Sequence, residues 1–341
     1  MSENKDFKAI LKEGYQCLDQ AQYGDAMECF LRVMGVEEIR HEATTAYNQV
    51  IQMVVPRYHF NMLNDVERNE KYNRAIKNSV DASTLVLDVG TGSGLLAMMA
   101  ARAGAKHIYA CEMVRPVAET AKTVVAANGY SDKITIIGKK SDKLILGIDI
   151  PDRLDLLVTE TIDSALIGEG IIPIIKHARQ HLLKENARIL PVGARVSGCL
   201  IESDVIYGMN HAEMAVGLDV RKFNALSTLG AFPVRLKMFP HRFLSAPFDV
   251  CQFDFQSGSL EKRTFRIPLR VEQDGRCHGV AFWFDLDIDK DTMFSSSPTN
   301  AKTHWKQAVQ CFPAPVPVKS GQSMTLNVVQ DLTAFDFTME G

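Results

Sequence analysis

Two glutamates, Glu160 and Glu169, flank a short loop that follows an apolar run. The run, residues 154–159, is typical of a buried strand, so Glu160 stands at its carboxyl end and Glu169 follows nine positions later. Two carboxylates at one mouth can hold a cation that carries several hydrogen-bond donors. A guanidinium has five donors in a planar fork that matches carboxylates bidentately, so the spacing predicts a site for such a group.

A glycine-rich turn predicts a second ligand near these acids. Residues 85–89 form an apolar run that passes into Gly90, Gly92 and Gly94, and a segment of helical character follows. Strand, glycine-rich turn and helix form the first unit of a nucleotide-binding α/β fold. With these glycines, Asp88 is expected to shape the turn.

Acidic or polar residues also follow the next strands of the predicted sheet. Glu112 ends an apolar run about twenty residues past the turn, where an acid can accept both ribose hydroxyls of a nucleoside. Ser141 and Asp142 follow a third run, and Glu160 follows the fourth. Because ligands bind at the carboxyl edge of an open parallel sheet, we expect all of these side chains to line one site.

The spacing of the glycines indicates which cofactor the turn would bind. It reads Gly-Thr-Gly-Ser-Gly and lacks the Gly-x-Gly-x-x-Gly spacing of a pyrophosphate-binding helix end. This favours S-adenosylmethionine, which has no phosphate, over a dinucleotide. A sulfonium methyl donor beside a held guanidinium predicts arginine methylation. A small-molecule or nucleic-acid methyltransferase and an NAD-dependent oxidoreductase are the alternatives, but neither needs two glutamates that grip a cation.

Four separated motifs resemble the protein arginine methyltransferases, in the order found in that family. They are residues 58–69, the glycine turn, the two-glutamate loop and Thr303-His304-Trp305. The resemblance runs from about residue 50 to near the end of the sequence. Within the family, the sequence of the two-glutamate loop is most similar to that of methyltransferase 9 and then to that of methyltransferase 7. It is less similar to that of the members that dimethylate asymmetrically.

The resemblance implies roles for the residues on the cofactor side of the site. Arg68 would pair with the carboxylate of the cofactor's methionine part, and Met62 belongs to the same covering helix. Glu112 would take the ribose hydroxyls, while Asp142, with Ser141 beside it, would meet the adenine amine.

The resemblance also implies roles on the acceptor side. The two glutamates would hold and orient the acceptor guanidinium. His304 would pair with Asp65, which ties the C-terminal domain to the covering helix, and this pair could also help to carry away a proton. The predicted walls of the arginine channel are Trp305, whose ring favours a cation, and Tyr58.

Asp163 and Ser164 occupy the stretch where most of the family has a Met-Gly pair after the first glutamate. This difference changes the space beside the acceptor nitrogen and argues against asymmetric dimethylation. The expected products are monomethylarginine and symmetric dimethylarginine. Monomethylation alone and a noncatalytic S-adenosylmethionine-binding recruitment module are the alternatives. Arginine-containing proteins, among them RNA-binding or splicing proteins, are the substrates that the resemblance implies.

Composition is consistent with an ordinary globular protein. The 341 residues are 46% hydrophobic and 23% charged, which predicts two domains and a small appendage. The net charge of −3 gives no basic field for nucleic acid. Seven scattered cysteines without a Cys-x-x-Cys pattern predict neither a disulfide framework nor a zinc site. The sequence shows no signal-peptide pattern and no membrane-spanning run, so a cytosolic or nuclear location is expected.

The pattern along the chain predicts three parts. Residues 1–40 read as a tetratricopeptide-like helical hairpin, with a plain amphipathic hairpin as the alternative. Residues 41–190 predict a doubly wound Rossmann-like methyltransferase domain, and residues 191–341 an antiparallel β-barrel substrate domain. The family has a dimerisation arm at about residues 205–240. Because the sequence is too short for a second module, we expect a homodimer through the arm or a fragment of a two-module protein.

Overall fold

The computed structural model describes residues 3–300, 303 and 305–340. The predicted site residue His304 lies outside these residues. Within them the chain forms a helical N-terminal unit, a parallel sheet with helices, and an antiparallel β part. No helix in the described ranges is long and apolar enough to cross a membrane.

Three helices with their own hydrophobic core form the N-terminal unit. They are Glu3–Asp19 (α1), Tyr23–Val33 (α2) and Arg40–Val54 (α3). Phe30 is fully buried and meets the ring of Tyr15 edge-on, with ring centroids 5.2 Å apart. Small side chains of α3 complete this core, namely Ala43, Ala46 and Val50. The unit therefore continues past residue 40, where the sequence placed the start of the next domain.

Both predicted N-terminal helices are present, whereas their likeness to a tetratricopeptide repeat stays a prediction. Two short helices, Tyr58–Leu63 (α4) and Val66–Ser79 (α5), then lead to the parallel sheet.

The parallel sheet has five strands in the order β3-β2-β1-β4-β5. The strands are Leu85–Val89 (β1), His107–Cys111 (β2), Ile134–Ile137 (β3), Leu154–Thr159 (β4) and Leu183–Leu190 (β5). The intervening helices are Leu95–Arg102 (α6), Arg115–Ala127 (α7) and Ile171–His177 (α8), which continues as a π-helix over Ala178–Leu182. All neighbouring pairs are parallel, which confirms the predicted doubly wound, Rossmann-like domain.

The central strands are buried because helices cover both faces of the sheet. In β1 every residue after Leu85 is buried, and in β4 only Asp155 is not. Such near-continuous apolar runs are typical of parallel strands between helical layers. The N-terminal unit is linked to this domain at α7, where Arg115 donates hydrogen bonds to Asp25 at 3.4 Å and Glu28 at 2.8 Å.

The C-terminal part contains two antiparallel sheets. The larger sheet consists of Gly193–Glu202 (β6), Ala231–Val234 (β9), Arg242–Phe243 (β10), Phe248–Asp254 (β11), Gly275–Asp289 (β13), Thr292–Ser295 (β14) and Gln307–Val318 (β15). The smaller sheet consists of Arg263–Arg270 (β12), Ser323–Gln330 (β16) and Phe335–Met339 (β17). Together they form the predicted β-barrel domain.

Aromatic side chains and one amide connect the two sheets of the barrel. Phe282 of β13 packs against Phe335 and Phe337 of β17, with ring centroids 5.8 and 5.1 Å apart. The Gln310 side chain donates to the carbonyl oxygen of Phe337 and accepts its N–H at 3.0 Å, as a neighbouring strand would. The sheets are therefore joined by packing and by backbone-like hydrogen bonds.

The predicted arm leaves the barrel as a short helix and a two-stranded hairpin. Its elements are Asp204–Gly208 (α9), Met214–Ala215 (β7) and Leu218–Asp219 (β8). One continuous hydrophobic core includes α5, the parallel sheet and the barrel, with Tyr72 and Phe294 among its members. Helix α5 therefore packs against both domains, and it carries Arg68.

Candidate active site

The predicted ligand-binding residues after β1, β2 and β4 share the carboxyl edge of the parallel sheet. The backbone N–H groups of Gly90 and Thr91 donate to the carbonyl oxygen of Cys111, at 3.0 and 3.1 Å. The N–H of Glu112 donates to Ile137 in the next strand. The turn after β1 thus lies directly beside Glu112, as the parallel topology requires.

The Asp88 carboxylate stabilises the conformation of the glycine turn through two hydrogen bonds. Its Oδ2 accepts hydrogen bonds from the Thr91 hydroxyl at 2.6 Å and from the N–H of Ala97 at 3.1 Å. Burial raises the pKa of this fully enclosed carboxyl to about 6. Gly90 has a φ of +72°, and a Cβ there would lie 2.6 Å from the Thr161 side chain, so no larger residue fits.

Glu112 is oriented by two backbone donors. Its Oε2 accepts from the N–H of Gly92 at 3.2 Å and its Oε1 from the N–H of Val114 at 2.8 Å. Each carboxylate oxygen keeps a further lone pair for a ligand hydroxyl. Among the described residues, a Cβ at Gly92 would meet nothing closer than the His59 ring at 3.8 Å, so the turn leaves open space next to this acid.

A buried ion pair joins Arg68 on α5 to Glu160 at the end of β4. The Arg68 guanidinium donates to Glu160 Oε2 at 2.5 Å, and each side chain is only 4% exposed. A second guanidinium nitrogen donates to Asn69 at 2.7 Å, while the buried Nε has no hydrogen-bond partner among the described residues. Asp65 caps α5, because its carboxylate accepts the N–H of Arg68 at 2.9 Å. Glu160 therefore already binds one guanidinium.

Tyr72 supports this ion pair, and the sequence reasoning missed it. Its ring centroid lies 5.3 Å from the guanidinium carbon of Arg68, a cation–π distance. Its hydroxyl donates to the carbonyl oxygen of Thr159 at 3.4 Å, next to Glu160. The signal in the sequence was the spacing, because residues four apart on a helix are neighbours on its surface.

Glu169 lies at the solvent-exposed mouth of the site close to Tyr58, whose pKa is raised by desolvation and then by the charge of Glu169. The residue remains accessible to solvent, yet its surroundings desolvate the carboxyl. Desolvation, then the charges of Glu160 and Asp163, raise the pKa of Glu169 to about 7. Glu112 also acts on Glu169 and Tyr58, so the acids after β2 and β4 face one space.

Ser141, Asp142 and Met62 are the remaining predicted site residues of the cofactor side. Ser141 is buried at the start of a short 3-10 helix. Asp142 is largely exposed and pairs with Lys140 at 3.0 Å, which lowers the pKa of Asp142. Met62 is half-buried in α4. Their contacts with a ligand stay predictions.

Trp305 lies in the hydrophobic core of the barrel domain. It is 9% exposed, and its ring meets Phe284 edge-on with centroids 5.4 Å apart. The backbone N–H of Trp305 donates to the Thr303 hydroxyl at 3.0 Å. Trp305, which was predicted to line the arginine channel, is thus largely enclosed by the barrel domain. Its contact with an acceptor stays a prediction.

Two family profiles match the chain, one on each domain. The profile described as ribosomal protein L11 methyltransferase covers residues 73–190, which include the parallel sheet. The profile described as the arginine methyltransferase oligomerization subdomain covers residues 204–339, which include the arm and most of the barrel.

Curated proteins and solved structures show the same likeness. An arginine N(omega)-methyltransferase of Streptomyces achromogenes subsp. streptozoticus is 43% identical over 283 residues, 83% of this chain and 78% of that protein. Protein arginine N-methyltransferase 7 of Aedes aegypti is 32% identical over 79% of this chain, which spans 46% of that protein. The PRMT1 enzyme–prozyme complex of Trypanosoma brucei with AdoHcy superimposes with a TM-score of 0.70 at 23% identity, over 84% of this chain and 94% of that one.

The buried ion pair predicts strong energetic coupling between Arg68 and Glu160. We expect Arg68→Ala and Glu160→Gln each to lower the free energy of unfolding by about 3–5 kcal/mol, because each leaves a buried polar or charged partner unpaired. The double variant should lose clearly less than the sum. Urea denaturation of the four proteins measures this cycle.

A partly exposed pair on the same helix is the control for this cycle. Lys71 and Glu67 pair at 2.5 Å with side chains 27% and 32% exposed. Their cycle should give a coupling below about 1 kcal/mol. Equal couplings for the two pairs would show that burial does not strengthen the contact of Arg68 with Glu160.

Proposed function

The chain belongs to the protein arginine methyltransferase family, and from that premise we propose that it transfers a methyl group from S-adenosylmethionine to a terminal nitrogen of an arginine guanidinium. One observation carries the proposal. Glu160, at the carboxyl edge of the sheet, binds a guanidinium within the chain itself, that of Arg68. This contact supports the proposal, because a carboxylate that binds one guanidinium with one oxygen can bind an acceptor guanidinium with the other.

The residues present fit the proposed cofactor. Glu112 presents two oriented carboxylate oxygens to ribose hydroxyls, and the turn at Gly92 leaves space beside them. The Nε of Arg68, which has no hydrogen-bond partner in the described part of the chain, is a buried donor that can bind the carboxylate of the methionine part. Ser141 and Asp142 are proposed to face the adenine. When bound, S-adenosylmethionine supplies an electrophilic methyl group.

The two glutamates are proposed to hold the acceptor. Oε2 of Glu160 is bound to Arg68, which leaves its other oxygen, and both oxygens of Glu169, for acceptor N–H donors. Carboxylates on two sides fix the plane of a guanidinium and direct one terminal nitrogen. Such orientation of reactants can supply about 7–11 kcal/mol, more than any single hydrogen bond in the site.

Glu169 is also suited to take up the proton that the methylated nitrogen must lose. Its pKa is raised to about 7 by desolvation, then by Glu160 and Asp163, so it can exchange a proton near neutral pH. Because Glu169 is exposed at the mouth of the site, it can release that proton directly to water. Asp65 and His304 remain the other proposed route, which the family resemblance implies.

The acceptor and the product are the finer parts of the proposal. We infer protein arginine as acceptor, with free arginine second, because one relative is named an arginine methyltransferase and the others protein arginine methyltransferases. We infer monomethylarginine followed by symmetric dimethylarginine, since Asp163 stands where the family majority has Met. Monomethylarginine alone is the second candidate, the product that the resemblance associates with methyltransferase 7.

Mass spectrometry of methylarginines tests the function. With S-adenosylmethionine and either an Arg-rich protein extract or free L-arginine, we expect methylation in the protein arm. Glu160→Gln should abolish it, because the acceptor loses its charged partner. Glu67→Gln, on the exposed side of α5, is the matched control and should stay active.

Each other outcome of that assay has a defined meaning. Methylation of free arginine alone would replace the protein acceptor. Dominant asymmetric dimethylarginine would contradict the product assignment. Stabilisation by the cofactor without methylarginine in either arm would contradict the catalytic proposal and leave the recruitment module.

The raised pKa of Glu169 predicts how activity depends on pH. Below about pH 7 the carboxyl is protonated in the free enzyme and no longer offers charge to the acceptor. The acceptor kcat/KM should therefore fall as pH decreases from 8 to 6, approaching about tenfold per pH unit. The profile of Glu169→Gln should lack this limb, and an unchanged limb in that variant would assign the titration to another group.

The arm is proposed to join two copies of the chain. It lies within the match to the oligomerization subdomain, and its hairpin and following loop expose large apolar side chains. The most exposed are Met214, Val216, Leu218, Phe223, Leu226 and Leu229. An apolar surface of this kind on one segment indicates a protein interface.

Light scattering coupled to size exclusion tests this interface. The wild-type protein should have the mass of a dimer, and Leu218→Asp with Leu226→Asp should shift it to a monomer, because charges would be placed on the apolar surface. Leu31→Asp changes an exposed leucine on α2 and should leave the dimer intact. A wild-type mass of one chain at all concentrations would contradict the proposal.

A further inference from the structure

In the loop between Glu160 and Glu169, backbone N–H groups donate hydrogen bonds to the carboxylate of Asp163. Its Oδ1 accepts hydrogen bonds from the N–H of Ala165 at 3.1 Å and from the N–H of Gly168 at 2.9 Å. The N–H of Leu166 donates to the Asp163 carbonyl oxygen at 3.0 Å. Three donors of the loop thus converge on one residue that lies six positions before Glu169.

The fit between Asp163 and Gly168 is tight. A Cβ at residue 168 would lie 2.2 Å from Oδ2 of Asp163, well inside van der Waals contact. Gly168 therefore lets the backbone approach the carboxylate closely enough for its N–H to bond. The next residue in the chain is Glu169, so this contact fixes the backbone from which the acceptor-binding side chain projects.

The opposite side of the loop is anchored in the hydrophobic core. Ile162, Leu166 and Ile167 are buried, and Leu166 adopts a φ of +75°, a conformation unusual for a branched side chain. The loop holds this conformation because the core takes its apolar side chains and Asp163 takes its N–H groups. Among the described residues, Asp163 is the hydrogen-bond acceptor for the N–H groups of both Ala165 and Gly168.

We propose that Asp163 is a positioning residue for Glu169, and that it fixes the loop so that Glu169 faces the acceptor guanidinium. The inference rests on the proposed function, since it gives Glu169 its role. Asp163 acts in two ways. Its oxygen atoms order the backbone before Glu169, and its charge adds to the negative field in which Glu169 titrates.

Two substitutions of Asp163 separate these two effects. Other groups also face Glu169 and keep acting on it in both variants. They are Tyr58 from α4, Glu112 after β2 and Glu160 after β4. Asp163→Asn keeps one oxygen that can accept both N–H groups, but it removes the charge and replaces the other oxygen by an NH2 group. Asp163→Ala removes both the oxygen and the charge.

Acceptor kinetics, cofactor binding and hydrogen exchange of the two variants test the proposal. In Asp163→Ala, the acceptor KM should rise about tenfold, as loss of positioned hydrogen bonds predicts, while the Kd of S-adenosylhomocysteine measured by calorimetry stays within about twofold. The amide protons of Ala165 and Gly168 should exchange faster. In Asp163→Asn, KM and exchange should stay near wild type, and the acid limb of kcat/KM should move to lower pH.

Three results would overturn the proposal. They are an unchanged acceptor KM in Asp163→Ala, an Asn variant as impaired as the Ala variant with its acid limb unmoved, and an equal loss of cofactor and acceptor binding, which would indicate general damage. A wild-type protein without arginine methylation would instead contradict the proposed function. In that case the exchange rates at Ala165 and Gly168 still decide whether Asp163 orders the loop.

Discussion

The ion pair between Arg68 and Glu160 is the contact on which the site depends. It joins a helix that packs on both domains to the end of a central strand, and neither charge has bulk water to stabilise it. Burying two charges is favourable only with good geometry and further contacts. Here Asn69 accepts a hydrogen bond from Arg68, and the Tyr72 ring lies at cation–π distance from its guanidinium. In the proposed function this guanidinium contacts both the cofactor and the acceptor-binding Glu160, so both proposed binding positions depend on where α5 packs.

Electrostatics explain why such a site suits its proposed ligands. The carboxylates of Glu112, Glu160, Asp163 and Glu169 act within one space, and Arg68 neutralises one of them. A sulfonium and a guanidinium are both cations. A site with excess negative charge attracts both and holds them close despite their mutual repulsion. Desolvation, and after it the neighbouring negative charges, raise the pKa of Glu169 within this site.

The sequence predicted those parts of the site that topology alone determines. Residues after parallel strands must share one edge, so the neighbourhood of Glu112, Glu160 and the glycine turn followed from the apolar runs. The contact of Arg68 with Glu160 did not, because it spans 92 positions and depends on how α5 packs. The role of Asp163 depends on a loop conformation that no periodicity encodes.

Domain limits were predictable only where the pattern changes sharply. The passage from alternating strands and helices to short strands near Pro191 is visible in the sequence. Helix α3, in contrast, joins the N-terminal unit through the small residues Ala43 and Ala46, which could pack against either neighbour. Only their packing in the structure shows that these two residues belong to the core of the N-terminal unit.

Helix α4 can unfold locally at a lower free-energy cost than a displacement of α5 would need. None of its six residues is buried, although it carries Tyr58 and His59 over the mouth. Local unfolding needs little free energy where few apolar contacts are lost, whereas displacing α5 would break the shared core. Melting of these one and a half helical turns would therefore open the proposed site to ligands at a lower free-energy cost than a displacement of α5.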